Sequence, residues 1–276
     1  MCPNGALSAT PDGISIDRAL CKGCGTCASE CPSTAMDLLG KKWGLDALIA
    51  EVEKDRAYYD QSGGGITVSG GDPTMQANFV APFLKGCKQR GLQTSMDTCG
   101  QCTKETLHML LPYVDILLYD VKEIDPHRHK RFTGSSNDRI LENLIHIRDY
   151  MNTYGTQKAF WIRTPIIPDA TTRDESIMGI GHFIAKNLGD VVDRWELCSF
   201  NNLCRDKYMR LGLTWHFQDY ELLTESVMEH ITDVAKNSGV DPHIVHWSGS
   251  IRTMETHEPD RSVGPELHLI EGRSTP

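Results

Sequence analysis

Five cysteines within the first 31 residues constrain this chain more than any other feature. Cys21, Cys24, Cys27 and Cys31 form a C-x2-C-x2-C-x3-C-P run, and an earlier Cys2-Pro3 opens a segment that the end of the run repeats. Cys2-Pro3-x-x-Ala6-Leu7 returns as Cys31-Pro32-x-x-Ala35-Met36, with an offset of 29 residues. Four thiolates at this spacing, closed by proline, are the ligand pattern of a [4Fe-4S] cluster, against which a zinc site and free thiols are the plainer alternatives. Where such runs occur twice, the fourth cysteine of each ligates the cluster held by the other run's first three. That rule joins Cys2 to Cys21, Cys24 and Cys27, although an incidental cysteine at position 2 stays open. Cys31 is left for a second cluster whose other cysteines would precede Met1. The expectation is an N-terminally shortened copy of a longer iron-sulfur protein.

The turn signal Asp12-Gly13 and the short alternating Ile14-Ser15-Ile16 between the two halves fit repeats of the bacterial ferredoxin kind. With 39% apolar and 24% charged residues over 276 positions, the chain has the composition of a globular protein with a full core. Its net charge of -9 excludes a phosphate-backbone partner, so no nucleic acid is expected. No apolar stretch approaches the ~18 residues of a membrane span, so no membrane is expected either. Ten cysteines without a charged-then-apolar leader place the chain in a reducing cytoplasm, in an anaerobic setting that spares exposed clusters.

Beyond the cysteines the pattern changes to alternating strands and helices. Apolar spacing predicts a helix over 46 to 60, and then strands at 66 to 69, 92 to 97, 115 to 119, 160 to 164, 194 to 198 and 243 to 247. Helices are expected over 76 to 90, 103 to 111, 137 to 152, 173 to 187 and 220 to 238. This alternation implies an α/β fold of parallel strands joined by crossover helices, with its chemistry in the loops at the carboxyl ends of the strands. Those loops read Ser69-Gly70-Gly71-Asp72-Pro73, Asp97-Thr98-Cys99-Gly100, Asp120-Val121-Lys122, Arg163-Thr164-Pro165 and Ser199-Phe200-Asn201-Asn202. Each has a bland reading: a lone S-G-G-D-P is usually a turn, and a lone D-x-K a solvated strand edge.

As an ordered set they resemble the glycyl-radical-enzyme activating enzymes of the radical S-adenosylmethionine (SAM) superfamily, over roughly residues 1 to 252. The stretch from Ser62 to Pro73 resembles that family's SGGEP segment, and Asp120-Val121-Lys122 its D-x-K element. Phe132-Thr133-Gly134-Ser135-Ser136-Asn137 resembles its TG-x-SN segment, and Arg163 to Pro168 its R-x-P-x-x-P stretch. The resemblance implies a partial (β/α)6 radical SAM barrel lacking its first strand, behind a ferredoxin-like insert. Expected boundaries are 1 to 40 for the insert, 41 to 252 for the barrel and 253 to 276 for a flexible tail.

The residue types suit the chemistry that the resemblance implies. Gly70 and Gly71 let backbone groups approach the amino acid head of SAM. Asp72 can accept from its amino group, while Lys122 and Arg163 suit its carboxylate. Asp97, Thr98 and Asp120 are placed near the same head, where two carboxylates that would otherwise repel can share a monovalent cation. Asp72 stands where the family more often has Glu. Asn201 stands where some relatives carry a histidine near the adenosyl group, and it cannot take up a proton.

Cys99 and Cys102 read as pocket or buried thiols, Cys87, Cys198 and Cys204 as packed thiols, and His127 and His129 as solvated rather than a metal pair. The C-x3-C-x2-C run that holds a catalytic radical SAM cluster does not occur in residues 1 to 276 and is expected upstream of Met1. The implied activity is reductive SAM cleavage to a 5'-deoxyadenosyl radical that abstracts hydrogen from a glycine of a partner glycyl radical enzyme. A reduced flavodoxin or ferredoxin is the implied electron donor. Two other readings are an electron-transfer or inactive SAM-binding relative, and a radical SAM enzyme that acts on a small molecule.

Overall fold

The computed structural model describes residues 2–252, apart from Asp12 and Thr156. The expected tail at 253 to 276 lies outside the described residues. The chain divides into two compact units, Met1–Ala57 and Tyr58–Pro276.

The N-terminal unit opens with an antiparallel hairpin, β1 (Leu7–Thr10) paired to β2 (Gly13–Ile16). A single helical turn, α1 (Thr26–Ser29), carries Cys27, and a longer helix follows, α2 (Leu45–Glu53). The two halves of the cysteine repeat have the same backbone. Gly5 and Thr34 each donate their amide to the carbonyl of the Cys three residues earlier, at 3.2 and 3.4 Å, and both have left-handed φ, 65° and 54°. A β-branched threonine rarely adopts that φ, so the turn itself, rather than the side chain, sets the conformation. The helix expected over 46 to 60 is interrupted. The Lys54 amide bonds the Glu51 carbonyl, a tighter i to i-3 closure, and a new helix α3 (Arg56–Ser62) starts after Asp55.

In the second unit the alternation becomes six parallel strands in sequential order. They are β3 (Gly65–Val68), β4 (Gln93–Thr98), β5 (Ile116–Asp120), β6 (Ala159–Ile166), β7 (Arg194–Ser199) and β8 (Val245–Ser248). The crossovers are α4 (Ala77–Gln89), α5 (Lys104–Leu110), α6 (Pro126–Thr133), α7 (Asp138–Tyr154), α8 (Asp174–Asn187), α9 (Arg205–Arg210) and α10 (Glu225–Lys236). β3 and β8 pair with no further strand among the described residues, so the sheet stays open at both edges. This is the α/β architecture expected for a partial radical SAM barrel.

Burial alternates strictly along β5, β6 and β7. In β6 the residues at 160, 162, 164 and 166 are buried, while 159, 161, 163 and 165 are partly open, and β7 repeats the pattern with 195, 197 and 199 buried. The buried set, with Tyr119, Phe160, Trp195 and Leu197, forms the core toward the helices. The half-open set therefore lines the other face.

At the amino ends of the strands, Asp115 knits β4 to β5. Its carboxylate, 6% exposed, accepts from Lys88 Nζ at 2.6 Å, the Thr94 amide at 3.0 Å and Thr94 Oγ1 at 3.1 Å. Burial works against the charge, and the bonds from Lys88 and Thr94 outweigh it, holding the Asp115 carboxyl below its usual range. Asp115→Ala is expected to cost about 2 kcal/mol at neutral pH, the scale of hydrogen bonds to a charged group. A carboxyl depressed on folding contributes stability above its unfolded pKa and loses it as pH falls through the folded value. Urea denaturation of both proteins should therefore show the gap narrowing as the solution is acidified below the usual carboxylate range.

Candidate functional site

Register lines up the charged residues of the open face. Asp120 pairs with Arg163, Arg163 with Glu196, and Glu196 with His246, which makes one row across β5, β6, β7 and β8. Register partners share a face of the sheet, so Arg163 is flanked on that face by an acid on either side. Arg163 Nη1 reaches across to Asp97 of β4 at 2.7 Å, and Lys122 Nζ folds back onto Asp120 Oδ2 at 2.7 Å. Each expected anion is thus held by an expected cation. Burial first, and then the charge on Asp120, push the Asp97 carboxyl up against the pull of Arg163. Arg163 Nε also stands 3.8 Å from Glu196 Oε2, so the guanidinium is shared between Asp97 and Glu196.

The loop after β3 exposes Gly70 and Gly71. Gly70 has φ 120°, and nothing lies within 4 Å of where a Cβ would stand on either glycine, so the backbone there is open to a ligand. Asp72 caps the 3-10 turn Pro73–Gln76, and its two oxygens accept from Thr74, Thr98 and Cys99. Those bonds outweigh burial and hold its carboxyl below the usual range. Thr98 is buried and also receives the Gly100 amide at 3.0 Å. Gly100 is fixed by space: a Cβ there would lie 1.8 Å from Tyr119 Oη, at φ 68°. Asn201 lies on an exposed loop, with Oδ1 taken by the Leu203 amide at 3.2 Å.

The TG-x-SN segment acts through the backbone. Asn137, 1% exposed, donates Nδ2 to the carbonyls of Glu123 and Ile124 at 2.9 and 2.8 Å, pinning the chain just beyond Lys122. Buried Glu123 accepts from Ser176 Oγ at 2.6 Å and Arg128 Nε at 3.0 Å. His129, expected to be solvated, is 4% exposed because its Nδ1 lies 2.7 Å from the Ser135 carbonyl within this knot. Cys87 is buried as expected, while Cys204 is exposed, since its loop leaves the sheet after β7. Burial pushes the thiols of Cys99 and Cys102 up, the latter to about 11, so neither is a reactive thiolate near neutral pH. Glu196, Glu123 and Asn143, which donates to the Gly100 and Cys102 carbonyls, complete the site without having stood out in the sequence. For Glu196 a signal existed: it is an acid between the apolar Trp195 and Leu197 of a strand.

Residues 21–178 match the model of the Radical SAM superfamily. The chain is 35% identical over 222 residues to the (2S)-3-sulfopropanediol dehydratase activating enzyme of Klebsiella oxytoca, covering 80% of this chain and 68% of that one. It belongs to the radical SAM superfamily, among the activating enzymes of glycyl-radical enzymes. The isethionate sulfite-lyase activating enzyme of Oleidesulfovibrio alaskensis is 37% identical over 206 residues, which cover 74% of this chain and 64% of that relative. A domain of pyruvate-formate lyase-activating enzyme from Bacteroides vulgatus superposes with a TM-score of 0.53 at 22% identity, over 67% of this chain and 99% of that one. At that identity the likeness concerns the fold. Among the described residues no helix is long and apolar enough to cross a membrane.

The family implies SAM and a SAM-binding [4Fe-4S] cluster, whose C-x3-C-x2-C run is not among residues 1 to 276, while the cysteines of the N-terminal unit have the spacing of a separate ferredoxin-like cluster. Cys2, Cys21, Cys24, Cys27 and Cys31 are all free thiols, partly or fully open to solvent. Among the described residues no three His, Cys, Asp or Glu side chains converge to hold a single ion. Anaerobic reconstitution is expected to load about four irons per chain through Cys2, Cys21, Cys24 and Cys27. Iron analysis and visible absorbance should show the loss of this cluster in Cys24→Ser and its retention in Cys31→Ser.

Proposed function

We propose that this chain carries the SAM-binding half-barrel and an iron-sulfur unit of an enzyme that installs a glycyl radical in a partner enzyme. The observation that carries this reading is the charge cluster at the carboxyl ends of β4 to β6. There, Asp97 pairs with Arg163 and Asp120 with Lys122, and the loop after β3 carries an open glycine turn. Reductive cleavage of SAM at a [4Fe-4S] cluster supplies a 5'-deoxyadenosyl radical, which takes hydrogen from a glycine of the partner.

This chain's residues bind and orient. Backbone groups at Gly70 and Gly71 approach the amino end of SAM, and Arg163 and Lys122 face its carboxylate, the guanidinium as a fork and the ammonium as a point charge. When both cations turn to that carboxylate, Asp97 and Asp120 lose their counter-ions. A monovalent cation held by the two carboxylates with Thr98 then restores the charge balance. Asn201 offers a neutral polar side chain at the far end of the site, beside the nucleoside. Cys2, Cys21, Cys24 and Cys27 hold one cluster, with Cys31 serving another, in a ferredoxin-like unit that takes electrons from a reduced flavodoxin or ferredoxin in the cytoplasm. The partner is a glycyl radical enzyme.

Electron paramagnetic resonance of a partner glycyl radical enzyme tests the activity, with the protein expressed from a reading frame that includes any in-frame codons before Met1. A glycine-centred radical that needs SAM and reductant is the expected result. Its failure to form with any glycyl radical enzyme, while SAM is cleaved on addition of a metabolite, would move the assignment to a small-molecule enzyme. Potassium, compared with tetramethylammonium at equal ionic strength, is expected to strengthen SAM binding by about fivefold or more in calorimetry. Asp120→Asn should abolish that response.

A further inference from the structure

Asp72 ends the glycine turn after β3, where an acidic side chain could face a bound amine. Its surroundings give it a different task. A carboxylate has about four acceptor positions, and protein donors meet all of them. The Thr74 amide and hydroxyl reach Oδ1 at 3.0 and 2.6 Å, the Cys99 amide reaches Oδ2 at 2.9 Å, and the Thr98 hydroxyl is shared at 2.9 Å from each oxygen. Thr98 Oγ1 in turn accepts the Gly100 amide at 3.0 Å. The chain of bonds runs from the loop after β3 into the loop after β4, with Asp97 on the strand residue just before Thr98.

The length of the side chain agrees with this task. Asp reaches the amide two residues ahead, as it does here at Thr74, in the capping geometry that short acceptors favour; Glu, one methylene longer, caps poorly. The second loop is held from its far side as well. Asn143 donates to the Gly100 carbonyl at 2.8 Å, and Tyr119 leaves no room for a side chain at position 100. Asp72 is therefore the link between an open glycine turn and a loop that is otherwise rigid.

We propose that Asp72 is a positioning residue for the SAM site. It clamps the loops after β3 and β4 through Thr74, Thr98 and Cys99, and so presents Gly70, Gly71 and Asp97 in one arrangement without touching the bound molecule. The proposal rests on the SAM-binding reading only for what the clamp serves; the clamp itself exists without ligand.

Amide hydrogen exchange of the SAM-free protein tests the clamp, and calorimetric SAM binding tests its purpose. In Asp72→Ala the amides of Thr74 and Cys99, and in Thr98→Val the amide of Gly100, are expected to exchange about tenfold faster or more, the loss of a hydrogen bond to a charged group or to the clamp it holds. Thr98→Ser, which keeps the hydroxyl, should show wild-type exchange. Each of the first two variants should weaken SAM binding by a similar factor, and the double variant should be little worse than either, because both break one unit. Unchanged exchange in ligand-free Asp72→Ala, together with lost SAM binding, would overturn the proposal and make Asp72 a direct contact. Faster exchange in the variants of a protein that binds no SAM even as wild type would support the clamp and refute the proposed function instead.

Discussion

Parallel strands cannot be joined by tight turns, and that geometric fact organises the catalytic unit. Each strand must return to the same end through a crossover, so every strand finishes at one rim and every loop there belongs to a different segment of sequence. Residues as far apart as Asp72, Asp97 and Arg163 are linked because the sheet order is sequential and its register is unbroken from β3 to β8. A slip of one residue in β6 would turn Arg163 into the core and bring Thr164, now buried, to the open face. The hydrogen bond from the Trp195 indole to Thr164 Oγ1, at 3.0 Å, opposes such a slip by giving that buried hydroxyl a fixed partner.

On this frame the rim is electrostatically closed before any ligand arrives. Asp97 and Asp120, two acids near enough to perturb one another, are each paired with a base, Asp97 with Arg163 two strands away and Asp120 with Lys122 of the loop that follows it. A site built this way does not hold bare charge in a partly dry space, which would cost several kcal/mol per ion. Behind the rim, Asn137 and Glu123 lock the D-x-K loop through backbone groups, so the position of Lys122 depends on residues that never face the cleft.

Much of this was legible in the sequence because it rests on local pattern. The six strands of the sheet were expected to within two residues at either end, since alternation and length decide them. The glycine turn, the D-x-K element and Arg163 likewise stood at strand ends where chemistry is sought. What escaped was whatever depends on partners distant in sequence. His129 looked solvated in a basic run, yet the fold buries it against the Ser135 carbonyl. Asp72 carried the right charge for a ligand contact, but only the geometry shows its oxygens taken up by a loop 26 and 27 residues away. The break at Lys54 could not be read either, because apolar spacing continues across it and only a tightened terminal turn ends the helix.

The two outermost strands of the described sheet, β3 and β8, are each four residues long, while the strands between them run from five to eight. Long bare edges invite pairing with other chains, and shortness is one of the ways natural sheets blunt them. At β8, four residues offer little main chain for a stray strand to copy.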